Sequence, residues 1–99
     1  MEAARLRLEH ELELARRAGL KAVKLIHGYG SSGAGGVLRL ELQKHLRRAV
    51  TLGSIEAAIA GEDWRISDET TWALVQRFPE WKKDSDLGRN NRGISIVVL

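Results

Sequence analysis

KAVKLIHGYGSSGAGGVLRLELQKHLRR, Lys21 to Arg48, is the stretch whose reading decides the fold. The short apolar run AVKLI leads into His27, and five glycines follow within the nine residues Gly28 to Gly36. Glycine costs backbone entropy on folding, so such a cluster marks positive φ or a close approach of the backbone to something else. Lys21 to His27 is short, carries β-branched residues and lies between glycine-containing turns, which predicts a strand. From about Gly35 to Ala49 the spacing predicts a helix, with Leu38, Leu42, Leu46 and Ala49 on one face. Arg39, Gln43, Lys44, Arg47 and Arg48 take the other side.

Upstream, residues 2–18 read as a helix. Ala4, Leu8, Leu12, Ala15 and Gly19 follow helical spacing, and Leu14 and Ala18 widen the stripe. Glu2 near the start and Arg16 and Arg17 near the end suit the helix dipole, and Gly19 stands where a C-terminal stop belongs. A helix, a strand and a helix in succession predict an α/β layer with a mixed or parallel sheet. Downstream, a strand is expected from about Ile55 to Ala60. Ser67 or Asp68 would cap a third helix reaching Arg77, with Thr71, Trp72, Leu74, Val75 and Phe78 inward and Pro79 closing it. Residues 82–93 form a polar loop, and ISIVVL at the C-terminus reads as a central strand buried on both faces.

Ninety-nine residues suffice for one domain and one core. A hydrophobic share of 43% with 29% charged residues fits a globular chain rather than a disordered one. Cysteine is absent, which excludes disulfides, thiolate metal sites and a cysteine nucleophile, and is compatible with a reducing compartment. No apolar run approaches the roughly 20 residues of a membrane span, and MEAARLRLEHELELARR is too charged for a signal peptide. These features predict a soluble, cytoplasmic protein with no membrane partner. A net charge of +3 permits nucleic-acid binding without demonstrating it.

Gly28, Gly30 and Gly33 spell G-x-G-x-x-G between a strand and a helix, an arrangement that turns backbone N–H groups toward an anion. A dinucleotide-binding fold fails on context, because a helix precedes the strand and too little chain follows for a doubly wound sheet. A Walker A loop fails because Ala34 stands where the lysine belongs. Phosphate cradling survives both failures.

The stretch IHGYGSSGAGGVLRLELQKHL resembles the second motif of Smr (small MutS-related) domains. There an apolar strand ends in His-Gly-x-Gly, a glycine-rich turn follows, and the next helix opens with Leu-Arg. The matching positions are His27, Gly28, Gly30, Gly33, Leu38 and Arg39. The resemblance extends to RRAGLKAVKLI and to the closing GISIVVL, and covers roughly residues 3–50 and 88–99 of a single domain spanning 1–99. Residues 52–87 match nothing in the family pattern and are read as a family-atypical insertion.

The resemblance implies a two-layer α/β sandwich like the C-terminal domain of bacterial translation initiation factor three, with a mixed sheet and helices on one side. It further implies DNA or RNA as the partner, handled by binding or by endonucleolytic cleavage. Phosphate contacts would come from the loop residues Gly28, Gly30, Ser31, Ser32, Gly33, Gly35 and Gly36. Arg39, Lys44 and Arg47 would extend those contacts along the adjoining basic helix. His27 is the candidate catalytic residue, since histidine is the side chain that changes charge near neutral pH. Smr domains usually begin with a strand carrying Leu-Asp-x-His-Gly, whose acid and His are implicated in cleavage. Here Met1 opens directly into the first helix, and LEHEL at Leu8 to Leu12 is helical. The expected sheet is therefore short of its first strand, with an exposed edge open to self-association. Either the start lies further upstream, or the domain binds without cutting.

No carboxylate is evident beside His27, and Glu41, two residues from Arg39, faces elsewhere. The three histidines are scattered, so a divalent metal finds no support in ligand spacing. His10 sits among glutamates on a solvated face, and His45 borders the apolar stripe as a packing residue. Arg89, Asn90, Asn91 and Arg92 form a polar loop expected near the edge of the binding face, while Trp64, Trp72 and Trp81 read as core or partner-facing aromatics. Three functions compete: a nucleic-acid binder, a hydrolase centred on His27, and an assembly module using its sheet edge.

Overall fold

The computed structural model describes residues 2–28 and 35–99. Helix α1 spans Glu2–Arg17, strand β1 Ala22–Ile26, helix α2 Gly35–Thr51 and strand β2 Ala57–Ala60. A 3₁₀ turn at Gly61–Asp63 leads to helix α3 (Glu69–Arg77), a second 3₁₀ turn covers Pro79–Lys83, and strand β3 (Ile94–Val98) ends the fold.

Local chemistry sets the helix ends. Gly19 adopts φ 78° after α1, with its N–H donating to Arg16 O and the Leu20 N–H to Ala15 O. Gly53 repeats the arrangement after α2, donating to Val50 O while the Ser54 N–H reaches Ala49 O. Both are Schellman closures, which need a residue at positive φ and so favour glycine. Asp68 caps α3 by accepting from Thr71 N–H at 2.9 Å and Thr71 Oγ1 at 3.0 Å. Pro79 follows Phe78 and ends that helix.

The sheet order is β1-β3-β2, and β3 is antiparallel to both neighbours. The α/β sandwich expected from the sequence is formed, but two details differ. The sheet is antiparallel throughout rather than mixed. The last strand inserts between β1 and β2, so these two run in the same direction without pairing. Helices also do not keep to one side. Leu8 and Leu12 of α1 and Leu42, Leu46 and Ala49 of α2 pack on one face against Val97, with Val23, Leu25 and Ala58 beside them. The other face carries Ala22, Ile59, Ile94, Ile96 and Val98, covered by Trp64, Leu74 and Val75. All five residues of β3 are buried, and a strand buried on both faces requires cover on both. Residues 61–87 supply the second cover.

Within the helices the apolar stripe is narrower than its sequence suggests. Leu14 and Ala18 are exposed, so Leu8, Leu12 and Ala15 carry the buried stripe of α1, with Ala4 half-buried in line with them. On α3, Thr71, Leu74 and Val75 face inward, whereas Trp72 is exposed. Trp72 follows the buried Thr71 and precedes Leu74 by two positions, which turns it off the buried stripe. Trp64 is fully buried and meets Trp81 edge-to-face at 6.0 Å.

Candidate functional site

Strand alternation points Val23 and Leu25 of β1 toward α1 and α2, and His27 continues that side just past the strand end. The His27 and Gly28 N–H groups both donate to Gly93 O, at 3.0 and 2.9 Å, and Gly28 takes φ 70°. This pins the exit of β1 to the entry of β3. Gly28 N–H is thereby satisfied within the fold.

The His27 ring is held at both nitrogens. Nδ1 lies 2.8 Å from Gly28 O, and Nε2 lies 3.0 Å from Ser95 Oγ. A carbonyl oxygen only accepts, so Nδ1 carries the proton and donates. In the neutral ring, Nε2 is then the acceptor for the Ser95 hydroxyl; in the charged ring it donates to that oxygen. Ser95 is buried in the middle strand, opposite Leu25 on β1 and Ala60 on β2.

Gln43 lines a cavity together with Ser95, and Arg39 stands one turn before it on α2. Arg39 Nη1 donates to Glu62 Oε2 at 3.2 Å, with side-chain exposures of 15% and 28%. Arg39 thus ties α2 to the 61–63 turn, and Glu62 is the carboxylate that the sequence did not place here. The other Glu62 oxygen, Oε1, is buried without a hydrogen-bond partner, and so is the Gln43 carboxamide nitrogen, Nε2. Both residues line a cavity of about 210 Å³ that also reaches Arg47, Asp63 and Ser95. His27 lines a second cavity, of about 290 Å³, with Leu8, Leu25 and Leu42.

The other sequence candidates fall into three groups. Gly30, Ser31, Ser32 and Gly33 lie outside the described residues. Gly35 and Gly36 form the first residues of α2, whose opening turn carries no acidic residue. Lys44 and Arg47 are exposed along the same helix. His10 is exposed, and His45 Nε2 meets Glu9 Oε1 at 2.5 Å, joining α2 to α1 away from the site. Of the chain just before β3, Gly93 meets the His27 end through its carbonyl oxygen. Asn91 bonds Asp86 and the Gly93 N–H, while Arg89 and Arg92 are exposed. Among the described residues, no three His, Asp or Glu side chains converge as for a metal ion. None of the described helices is long and apolar enough to cross a membrane.

Sequence reasoning missed Ser95, Glu62 and the inward aim of Gln43. Ser95 had a readable signal, because a lone hydroxyl in an otherwise apolar buried strand must find a partner. Glu62 had none, since it sits in a short turn with no periodic pattern around it.

A model of the Smr domain matches residues 1–63. No curated protein and no solved structure matches the chain.

Proposed function

The chain belongs to the Smr domain family, and we propose that it binds the phosphate backbone of DNA or RNA at the end where β1 hands over to α2. One observation carries this reading: His27 is fixed at the strand end while the following helix opens with no acidic residue in its first turn. A helix N-terminus presents free N–H groups and a partial positive charge, which favours an anion. Exposed Lys44 and Arg47 extend that field along α2. Arg39, held by Glu62, contributes mainly by fixing the helix against the 61–63 turn. A cytoplasmic location belongs to the same proposal.

Binding of labelled single- and double-stranded DNA and RNA across a salt series tests it. Affinity is expected to fall steeply as salt rises, and Arg47→Ala is expected to lower the log–log slope by about one. Absence of binding at low salt would overturn the reading.

A second reading, endonucleolytic cleavage, is favoured by the His27–Ser95 contact. The Gly28 carbonyl fixes the tautomer by accepting from Nδ1, Ser95 Oγ holds Nε2, and Glu62 and Asp63 lie in the cavity that Ser95 also lines. An oriented imidazole can move a proton to or from a reacting oxygen. Wild type and His27→Ala are compared on plasmid and on structured RNA; equal cleavage by the two proteins refutes the role of His27.

A further inference from the structure

Among the described residues, two buried side-chain polar atoms have no hydrogen-bond partner, and both belong to residues lining the same cavity. Buried side-chain nitrogen and oxygen atoms are almost always hydrogen-bonded, because leaving one unpaired costs its full desolvation. Gln43 Nε2, a donor, and Glu62 Oε1, an acceptor, break that rule, and both side chains border one cavity of about 210 Å³, into which a small rotation of either would bring its unpaired atom. Oε2 of the same carboxylate is occupied by Arg39, which holds the group in place. The floor includes Ala58 and Ala60, whose small side chains leave room, and the cavity also reaches Ser95 and exposed Arg47.

We propose that this cavity takes one unstacked guanine base of a single-stranded nucleic acid and reads its Watson–Crick edge through Glu62 and Gln43. The inference rests on the nucleic-acid reading above and adds base choice to it. The volume suits a single ring system rather than a length of chain. An ionised carboxylate only accepts, so the base must offer it donors. Guanine sets N1–H and N2–H side by side on one edge, with O6 next to them. N1–H and N2–H donate to Glu62 Oε1, and O6 accepts from Gln43 Nε2. Adenine and cytosine can set one amino N–H on Oε1 and a ring nitrogen against Gln43 Nε2, but they lack the second N–H that guanine adds. Uracil offers one N–H flanked by two carbonyls, and a carboxylate beside a carbonyl is repulsive. Single-stranded bases are commonly read in this way, on the edge freed by unstacking. Ser95 lines the cavity and also bonds His27, so base and backbone would be gripped from adjoining positions.

The test measures binding of short single-stranded pyrimidine oligonucleotides carrying one central G, inosine, A or U, to wild type, Glu62→Gln and Gln43→Ala. Wild type is expected to prefer the G oligonucleotide by roughly tenfold over A or U, the usual size of one base contact. Inosine, which lacks N2–H, should fall between. Both variants should lose the preference and keep the salt dependence. As an independent readout, titration with GMP should shift the Gln43 side-chain amide resonances in wild type, and AMP should not. Steep salt-dependent binding with equal affinity for all four oligonucleotides would overturn the guanine site and leave the phosphate reading standing. A G preference that survives in both variants would overturn it too. No binding of any oligonucleotide would overturn both readings together.

Discussion

On the side of β3 that faces α1 and α2, Val97 meets Leu8, Leu12, Leu42 and Leu46. On the other side, Ile96 meets Trp64, Leu74 and Val75, and the cover is laced with polar contacts. Trp64 Nε1 donates to Asp84 Oδ2 at 3.0 Å. Lys24 reaches Asp84 and Asp86 at 2.8 and 2.7 Å, and Asp86 accepts from Asn91 Nδ2 at 2.9 Å. One face is therefore an aliphatic interface between two long helices. The other is a short helix plus irregular chain, tied down by one indole and a half-buried charge network. Leucines at helical spacing can shift slightly and still pack, whereas an indole with a single oriented donor cannot.

The sharpest way to break this comparison is one truncation on each face. Trp64→Ala should cost about 3–5 kcal/mol, and Leu12→Ala about 2–5 kcal/mol, measured by urea unfolding. The energies overlap, but the structural consequences should not. Losing Trp64 also removes a donor from Asp84, so proteolysis of the 84–93 segment should rise well beyond that seen for Leu12→Ala at matched stability. Equal protease sensitivity would mean that the indole packs without tethering. Next in size is Gly61→Ala, at the end of β2. A Cβ there would lie 1.7 Å from Asn91 O and 2.8 Å from Ile94 O, both backbone atoms. Backbone cannot swing aside as a side chain does, so a loss of at least about 1–3 kcal/mol is expected by thermal melting.

These contrasts also explain what was legible in the sequence. The helical side was readable because Leu8 and Leu12, or Leu42 and Leu46, repeat at a spacing that only a helix puts on one face. ISIVVL was readable as the central strand for the same reason in reverse: it has no polar face to show solvent. That reading already demanded cover on two sides, yet the segment that provides it carries few periodic signals beyond α3. The positions of Trp64, Asp84 and Asn91 follow from three-dimensional closure rather than from spacing. The candidate site divides similarly. His27 and the glycines are marked locally, but Ser95 and Glu62 reach His27 and Arg39 from 68 and 23 residues away, which no local pattern records.

The charge network offers a pH test of the same contrast. Hydrogen bonds that the Lys24 ammonium donates to Asp84 and then to Asp86 raise its pKa above the ordinary 10.5. Hydrogen bonds from Asn91 and then Lys24 hold Asp86 below its ordinary 3.8. A raised lysine contributes stability that is complete below 10.5 and is lost as pH climbs through the folded-state value. A depressed carboxylate contributes stability that is complete above 3.8 and is lost as pH falls through its folded-state value. Stability should thus be flat through neutrality, with respect to these two groups, and decline at both extremes. Lys24→Met should abolish their share of the alkaline decline. It should only soften the acid one, because Asn91 is the first cause of the Asp86 shift. Denaturant midpoints from pH 2 to 12 for both proteins decide this, and an unchanged alkaline limb would refute the Lys24 assignment.

The smallest effect is expected from ion pairs on the helical side. Arg7 Nε and Glu11 Oε1 lie 3.4 Å apart at i,i+4, with side-chain exposures of 83% and 53%. Lys24, Asp84 and Asp86 are exposed by only 20%, 12% and 22%. Water screens the first pair and both side chains lose rotamer freedom to form it, so about 0.5 kcal/mol or less is at stake. Glu11→Gln should therefore shift the urea midpoint barely, and any shift should vanish at high salt. The aliphatic interface beneath does not depend on that charge. A Glu11→Gln loss as large as that of Lys24→Met at neutral pH would mean that both faces are held by charge, which would erase the distinction drawn between them.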